Sequence, residues 1–243
     1  MTIGIIGYGA FGSFVHELAK HYLPEAVVKI HSTRNEPDGV TFFTIEAVCA
    51  CDIVVPAVPI SALAETFETI GKYARPETIV IDVATVKEYP VGLLAPYEGK
   101  FKYIATHPMF GPYSYLKKGK SLSGLKIVIC ERTVDNSTYQ RAGDFMKSLG
   151  ITILETTAED HDKTLAETLF LTHLIGQMVT VGGFRRSEID TVSFGFLMDA
   201  VESVQNDTSL FRDVYRYNKY CKEVLGRIVF AYKTVSKGLD GIS

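Results

Sequence analysis

The chain has no basic stripe, no long apolar run and no cysteine pairing pattern. Basic and acidic residues number 25 and 28, a net charge of −3, which gives no electrostatic footprint for nucleic acid. The longest apolar stretch, residues 53–64, is interrupted by Pro56 and Pro59 and is too short to cross a bilayer. The N-terminus enters an apolar segment at once, with no charged leader and no cleavage-type sequence, so a cytoplasmic protein without a signal peptide is expected. The four cysteines, Cys49, Cys51, Cys130 and Cys221, form no CxxC pair and no ligand cluster. That predicts reduced, mostly buried thiols and no bound metal. Repeats, low-complexity segments and charged tails are absent too. From residue 159 onward there are no prolines and no convincing strands.

What is present supports a sizeable core. Hydrophobic residues make up 47% and charged residues 22% of 243, enough for one large or two small domains. Residues 2–6 read as a buried strand, 10–22 as an amphipathic helix and 27–31 as a second strand, a βαβ unit of mononucleotide-binding length. A short strand at 41–43 and a short helix at 45–50 follow, and Cys49 and Cys51, two apart, should face different ways on a helix. Residues 52–58 form a strand apolar on both faces, as parallel strands are. A helix at 61–74 has Ser61 as its expected N-cap. Further strands are expected at 78–83, 102–106, 126–130 and 152–154, with a helix at 135–149. Strands alternating with helices argue for a doubly wound sheet. Residues 160–184, 188–204 and 210–235 carry long helical patterns with more than one apolar face. A helical segment that small cannot bury so much apolar surface alone, so it should also pack against a second copy. The expected domains are 1–156, an α/β cofactor domain, and 157–243, a smaller all-helical domain.

Gly7-Tyr8-Gly9-Ala10-Phe11-Gly12 sits between the first strand and its helix. In that context GxGxxG is a strong dinucleotide signal: Gly7 for the tight turn, Gly9 for approach of the pyrophosphate, Gly12 for close helix packing. Free N–H groups at the helix start then face phosphates. Ala10, Phe11, Val58 and Pro59 complete the expected cofactor contacts. The second strand ends in His31-Ser32-Thr33-Arg34-Asn35, without the carboxylate that binds the ribose hydroxyls of NAD. Ser32, Thr33 and Arg34 can donate to a 2′-phosphate, which points to NADP.

Two further stretches follow buried strands and should face the cofactor cleft. One is Asp82-Val83-Ala84-Thr85-Val86-Lys87, and the other is His107-Pro108-Met109-Phe110-Gly111-Pro112. An imidazole suits proton transfer near neutral pH, and a hydroxyl beside it can fix its tautomer. By position alone, His107 serves equally as a structural histidine tying down its loop. His173 lies among apolar neighbours, where a satisfied core histidine is the ordinary outcome. His161, in an acidic helix start, reads as a cap, and His16 and His21 as packing or surface residues.

Together these stretches resemble the prephenate/arogenate dehydrogenase family over essentially the whole chain, closest to its NADP-dependent plant-like arogenate members. The resemblance runs from Gly7–Gly12 through the Asp82 and His107 stretches to Asp160-His161-Asp162, Thr172-His173, Asn206-Asp207 and Tyr217-Asn218. It implies a Rossmann domain followed by a helical domain that forms a homodimer. It also implies oxidative decarboxylation of prephenate or arogenate, on the way to tyrosine, with NADP as cofactor. His107 then takes the position of the histidine that bonds the ring hydroxyl, Thr85 supports it, and His173 lines the substrate pocket. Gln177 and Glu202 stand where family members carry arginines, so the cation for the substrate carboxylates is sought among Arg185, Arg186, Arg212 and Lys219. At Asn206, plant-type arogenate enzymes carry an acid; a neutral residue leaves prephenate open. Neither a chorismate mutase segment nor a regulatory domain is expected. Two other readings compete. One is another small Rossmann reductase or dehydrogenase with a helical dimer domain, of the pyrroline-carboxylate reductase or β-hydroxyacid type, with Lys163 a weak catalytic candidate. The other is a non-catalytic NADP-binding sensor.

Overall fold

The computed structural model describes residues 1–240 of the chain and separates it into two compact units, residues 1–159 and 160 onward. The first unit holds strands β1 (Thr2–Ile6), β2 (Val27–His31), β3 (Ile53–Pro56), β4 (Ile79–Asp82), β5 (Lys102–Pro108), β6 (Lys126–Arg132) and β7 (Thr152–Glu155). Its helices are α1 (Ala10–Tyr22), α2 (Ile45–Cys49), α3 (Leu63–Tyr73), α4 (Glu88–Leu94), α5 (Pro112–Lys117) and α6 (Asn136–Ser148). The strands form one sheet in the order β2-β1-β3-β4-β5-β6-β7, parallel except where β5 meets β6. The strand order reverses at β1, between β2 and β3. A crevice therefore opens at the carboxyl ends of β1 and β3, where open parallel sheets bind nucleotides. The doubly wound, Rossmann-type sheet expected from the alternating pattern is what forms.

Burial follows the apolar runs. Ile5, Ile30, Val54 and Val80 have no exposed surface, and helices lie on both faces of the sheet. One face is closed by α1 through Ala19 against Ile3, Ile5 and Ile30, and Phe14 joins Tyr115, Leu122 and Leu125 in a second cluster.

Several expected elements differ in instructive ways. The strand at 41–43 shrinks to a single bridge, Ile30 to Phe42. The Asp38 carboxylate takes the N–H groups of Val40, Thr41 and Phe42, which a strand would have given to a neighbour. Ser61 is not the cap of α3: a 3₁₀ turn at Ile60–Ala62 precedes the helix, and Ala62 stands at its cap position without a side-chain bond. The strand at 102–106 continues through His107 to Pro108, because β6 runs back alongside and pairs His107 with Val128. Cys49 ends α2 and Cys51 follows it; both are buried free thiols, and burial pushes the Cys49 thiol up to about 12.

The second unit is helical. Helix α7 (Ala158–Leu165) passes through a π-turn at Ala166–Phe170 into α8 (Leu171–Val181), followed by α9 (Val192–Val204), α10 (Thr208–Tyr217) and α11 (Cys221–Asp240). The single helix expected at 210–235 is thus two. Asn218 breaks it: fully buried, its side chain donates to the Asp162 carbonyl at 2.7 Å and accepts the Tyr220 N–H at 3.0 Å. His161 does not cap a helix; it is buried, with Nδ1 2.8 Å from the Asp162 carboxylate. No helix among the described residues is long and apolar enough to cross a membrane.

Candidate active site

The glycine turn connects β1 to α1 at the reversal point of the sheet. Gly7 adopts φ +98°, and its N–H bonds the His31 carbonyl at 2.9 Å, tying the turn to the end of β2. A side chain at Gly12 would meet the Gly7 carbonyl oxygen at 2.1 Å, so the helix starts in direct contact with the turn. Gly9 differs, since a Cβ there would meet nothing within 4 Å. Gly9 caps α1 without a side-chain bond, and no acidic residue lies in the first turn. The N–H groups of Ala10, Phe11 and Gly12 have no intrahelical carbonyl to bond. An open backbone face with unpaired donors fits the pyrophosphate of a dinucleotide. Val58 leans over this turn, its Cγ1 3.1 Å from where a Gly7 side chain would begin, and exposed Pro59 follows it.

At the end of β2 the three expected phosphate contacts separate. Ser32 is buried; its hydroxyl donates to Asn35 Oδ1 at 3.0 Å and accepts the Arg34 N–H at 3.2 Å. In these contacts it braces the loop that carries Thr33 and Arg34. Thr33 and Arg34 are exposed. Arg34 donates from Nη2 to the Tyr8 carbonyl at 3.1 Å, which holds its guanidinium beside the glycine turn with further donors outward. Tyr8 is itself fixed, edge-on to Phe42 and with its hydroxyl 3.3 Å from His16 Nδ1. Burial lowers the pKa of His16.

The adjacent strands β4 and β5 carry the chemical residues to the same sheet edge. His107 lies within β5, not after it, and is 5% exposed. Thr85 is half-buried in the loop after β4. The same loop contains a feature that sequence reasoning missed. Asp82 and Lys87 are both fully buried and form an ion pair, and the Lys87 ammonium also donates to the Thr106 carbonyl. A lysine at the end of a loop reads as a surface residue. The one available signal was its spacing, five residues after an aspartate that ends a buried strand.

In the second unit, α8 carries His173 and, one turn on, Gln177. His173 is 4% exposed, its ring lies parallel to Phe211 of α10, and its Nδ1 has no hydrogen-bond partner among the described residues. Phe170, at the end of the π-turn, also stacks on Phe211, with ring centroids 5.4 Å apart. Burial depresses the His173 pKa, partly opposed by Asp207. A buried polar atom left unpaired carries a desolvation penalty and marks a place where a ligand atom would be welcome. Gln177 Nε2 reaches the Gln205 carbonyl at 3.4 Å, next to exposed Asn206. Arg212 is exposed on α10. Arg186, a candidate carboxylate-binding cation, is held by Glu202 at 2.7 Å and Asp199 at 2.6 Å, so its charge is already matched. Among the described residues no group of three or more His, Cys, Asp or Glu side chains is placed to hold a metal.

Residues 34–155 match the family model described as prephenate dehydrogenase, nucleotide-binding domain. Arogenate dehydrogenase 2, chloroplastic, of Arabidopsis thaliana is 30% identical over 258 residues, covering 99% of this chain and 70% of that protein. Arogenate dehydrogenase 1, chloroplastic, of the same plant is 29% identical over 253 residues, covering 98% of this chain; the chain spans 39% of that relative's length. The crystal structure of prephenate dehydrogenase from A. aeolicus with hydroxyphenyl propionate and NAD+ superposes with a TM-score of 0.72 at 16% identity, over 98% of this chain and 90% of that one. A nucleotide-binding dehydrogenase domain of this kind takes a nicotinamide cofactor. The chain belongs to the prephenate/arogenate dehydrogenase family.

Proposed function

We propose that this protein catalyses the NADP-dependent oxidative decarboxylation of arogenate or prephenate, a step toward tyrosine. The observation that carries the reading is His107, almost buried on β5, at the same sheet edge as an open glycine turn with unpaired donors. Bound NADP supplies the hydride acceptor. His107 accepts the proton of the ring hydroxyl as hydride leaves the carbon that bears it. The ring carboxylate then departs as carbon dioxide; the electron pair of the broken bond aromatises the ring, and the phenolate regains the proton from His107. Thr85 lies in the neighbouring loop as the supporting hydroxyl. The reading gives His173, Gln177, Asn206 and Arg212 substrate contacts, and the unpaired His173 Nδ1 favours a polar substrate atom there.

Preference for NADP is supported by Arg34 beside the glycine turn and by the missing carboxylate after β2. Association into a homodimer through the C-terminal helices is supported by exposed apolar residues on α9 and α11, among them Phe196 and Phe230 at 71% and 73%. Four free thiols suit a reducing compartment such as the cytoplasm.

The test is steady-state reduction of NADP with prephenate and with arogenate, in the wild type and in His107→Asn. Turnover of at least one substrate is expected, with kcat falling by about 10²–10⁴ in the variant while NADP affinity holds. A variant with near-wild-type kcat would remove His107 from the mechanism. No turnover of either substrate, with tight cofactor binding, would favour a sensor.

A further inference from the structure

Asp82 and Lys87 have no task in the reaction as proposed, yet both are withdrawn completely from water. Burying two opposite charges is a poor route to stability, since apolar side chains of similar volume usually serve as well or better. Their contacts suggest a use in geometry.

The β4–β5 ladder ends at the pair Asp82–Ala105. Beyond it, residues 106–108 of β5 have no β4 partner, and on their other side they pair with β6 after a register shift between Ala105 and Thr106. Such a bulge re-aims the side chains that follow it. Three bonds replace the lost ladder. The Lys87 ammonium donates to the Thr106 carbonyl, the Thr106 hydroxyl donates to the Asp82 carbonyl at 2.7 Å, and the Asp82 carboxylate holds Lys87. The second carboxylate oxygen of Asp82 accepts the Ala84 N–H at 3.0 Å, one residue before Thr85. A single buried ion pair thus ties down Ala84, next to Thr85, and Thr106, next to His107. A lysine's flexible stem carries several donors on one nitrogen and can satisfy an anion and a carbonyl in different directions; a planar guanidinium could not do so in the same space.

We propose that Lys87 is a positioning residue, a strut that sets the separation and aim of Thr85 and His107 through Asp82 and the Thr106 carbonyl. It has no exposed surface. The kinetic part of the proposal rests on the dehydrogenase reading above; the structural part does not.

The experiment uses the full chain and three variants: Lys87→Met, the double Asp82→Asn/Lys87→Met, and His107→Asn for assignment. The double variant removes both charges, so it leaves no unpaired buried ion and guards against simple failure to fold. Three readouts are taken: Tm, kcat and KM on the better substrate with NADP affinity, and the imidazole NMR signals of the six histidines. Displacement of the reacting groups by about 1 Å costs about 100-fold in rate. The strut therefore predicts kcat down about 100-fold in both Lys87 variants with NADP Kd within threefold of wild type. Tm should recover in the double variant while kcat does not. The His107 signals, identified by their loss in His107→Asn, should shift while the other five stay in place. If kcat returns with Tm in the double variant, or stays within threefold of wild type with His107 unshifted, the proposal is overturned and the pair is merely structural. If the wild type turns over neither substrate yet His107 shifts selectively, the strut stands and the proposed reaction is the part that fails.

Discussion

Alanine at Gly12 and alanine at Gly9 should have opposite consequences, although the residues lie three apart in one motif. A methyl group at Gly12 would sit 2.1 Å from the Gly7 carbonyl oxygen and 3.0 Å from its carbon. Ordinary contact is 3.4–4 Å, so α1 would have to withdraw from the turn by more than 1 Å. The obstacle is backbone and cannot rotate away, which places the cost at the upper end of the usual ~1–3 kcal/mol for overpacking. Alanine returns about 1 kcal/mol through its better helix propensity. The net loss is about 2 kcal/mol, or about 4–8 °C in the Tm of a domain this size. At Gly9 a methyl group meets no protein atom within 4 Å, and φ −82° suits alanine. Only the small difference between the two residues at a cap position is lost, roughly 0.5 kcal/mol or 1–2 °C. That methyl would instead stand where the pyrophosphate must approach, and NADP binding should weaken at least about tenfold, roughly 1.4 kcal/mol. Thermal melting without cofactor and a fluorescence titration with NADP measure the two effects separately. Gly12→Ala melting within 1 °C of wild type, or Gly9→Ala binding NADP at full affinity, would refute this account of the turn.

Three further outcomes are expected. Because burial depresses the His173 pKa below its ordinary 6.5, the unfolded chain takes up a proton below that pH that the folded ring refuses, so stability falls as pH drops from about 6.5 through the lowered value. His173→Gln should flatten the decline of the urea midpoint between pH 6.5 and 5 without abolishing it, since His16 is also depressed; an unchanged slope would remove His173 as a source. Arg34→Ala should lower kcat/KM for NADP at least tenfold and leave NAD within twofold, and an unaltered preference would show that Arg34 plays no part in reading the 2′-phosphate. Sedimentation should find the wild type dimeric and Phe196→Lys/Phe230→Lys monomeric; a monomeric wild type would sink the dimer.

Much of this was legible because its signals are local. The glycine turn, β1, α1 and β2 follow from apolar periodicity and punctuation within thirty residues. The helical character of the second unit follows from the loss of proline and strand patterns. Two of the expectations that failed are cases in which a side chain competes with the backbone. Asp38 takes three N–H groups from what would have been a strand, and Asn218 divides one apolar pattern into two helices. At the site, the Ser32 hydroxyl also bonds locally, to Asn35 Oδ1 at 3.0 Å, a contact that residue type alone does not announce.

By itself the sequence determined that a dinucleotide turn opens a doubly wound sheet, that an imidazole stands near the end of a later strand, and that the chain resembles one dehydrogenase family. These are matters of residue type and spacing, which secondary structure preserves. Only the tertiary structure decided which polar groups are already engaged. It turned Ser32 inward, matched Arg186 with Asp199 and Glu202, left His173 Nδ1 unpaired and joined Asp82 to Lys87 beneath His107. Each of those results depends on which elements lie side by side and how far water is excluded, and residues from 3 to 16 positions apart meet there only after the chain has packed.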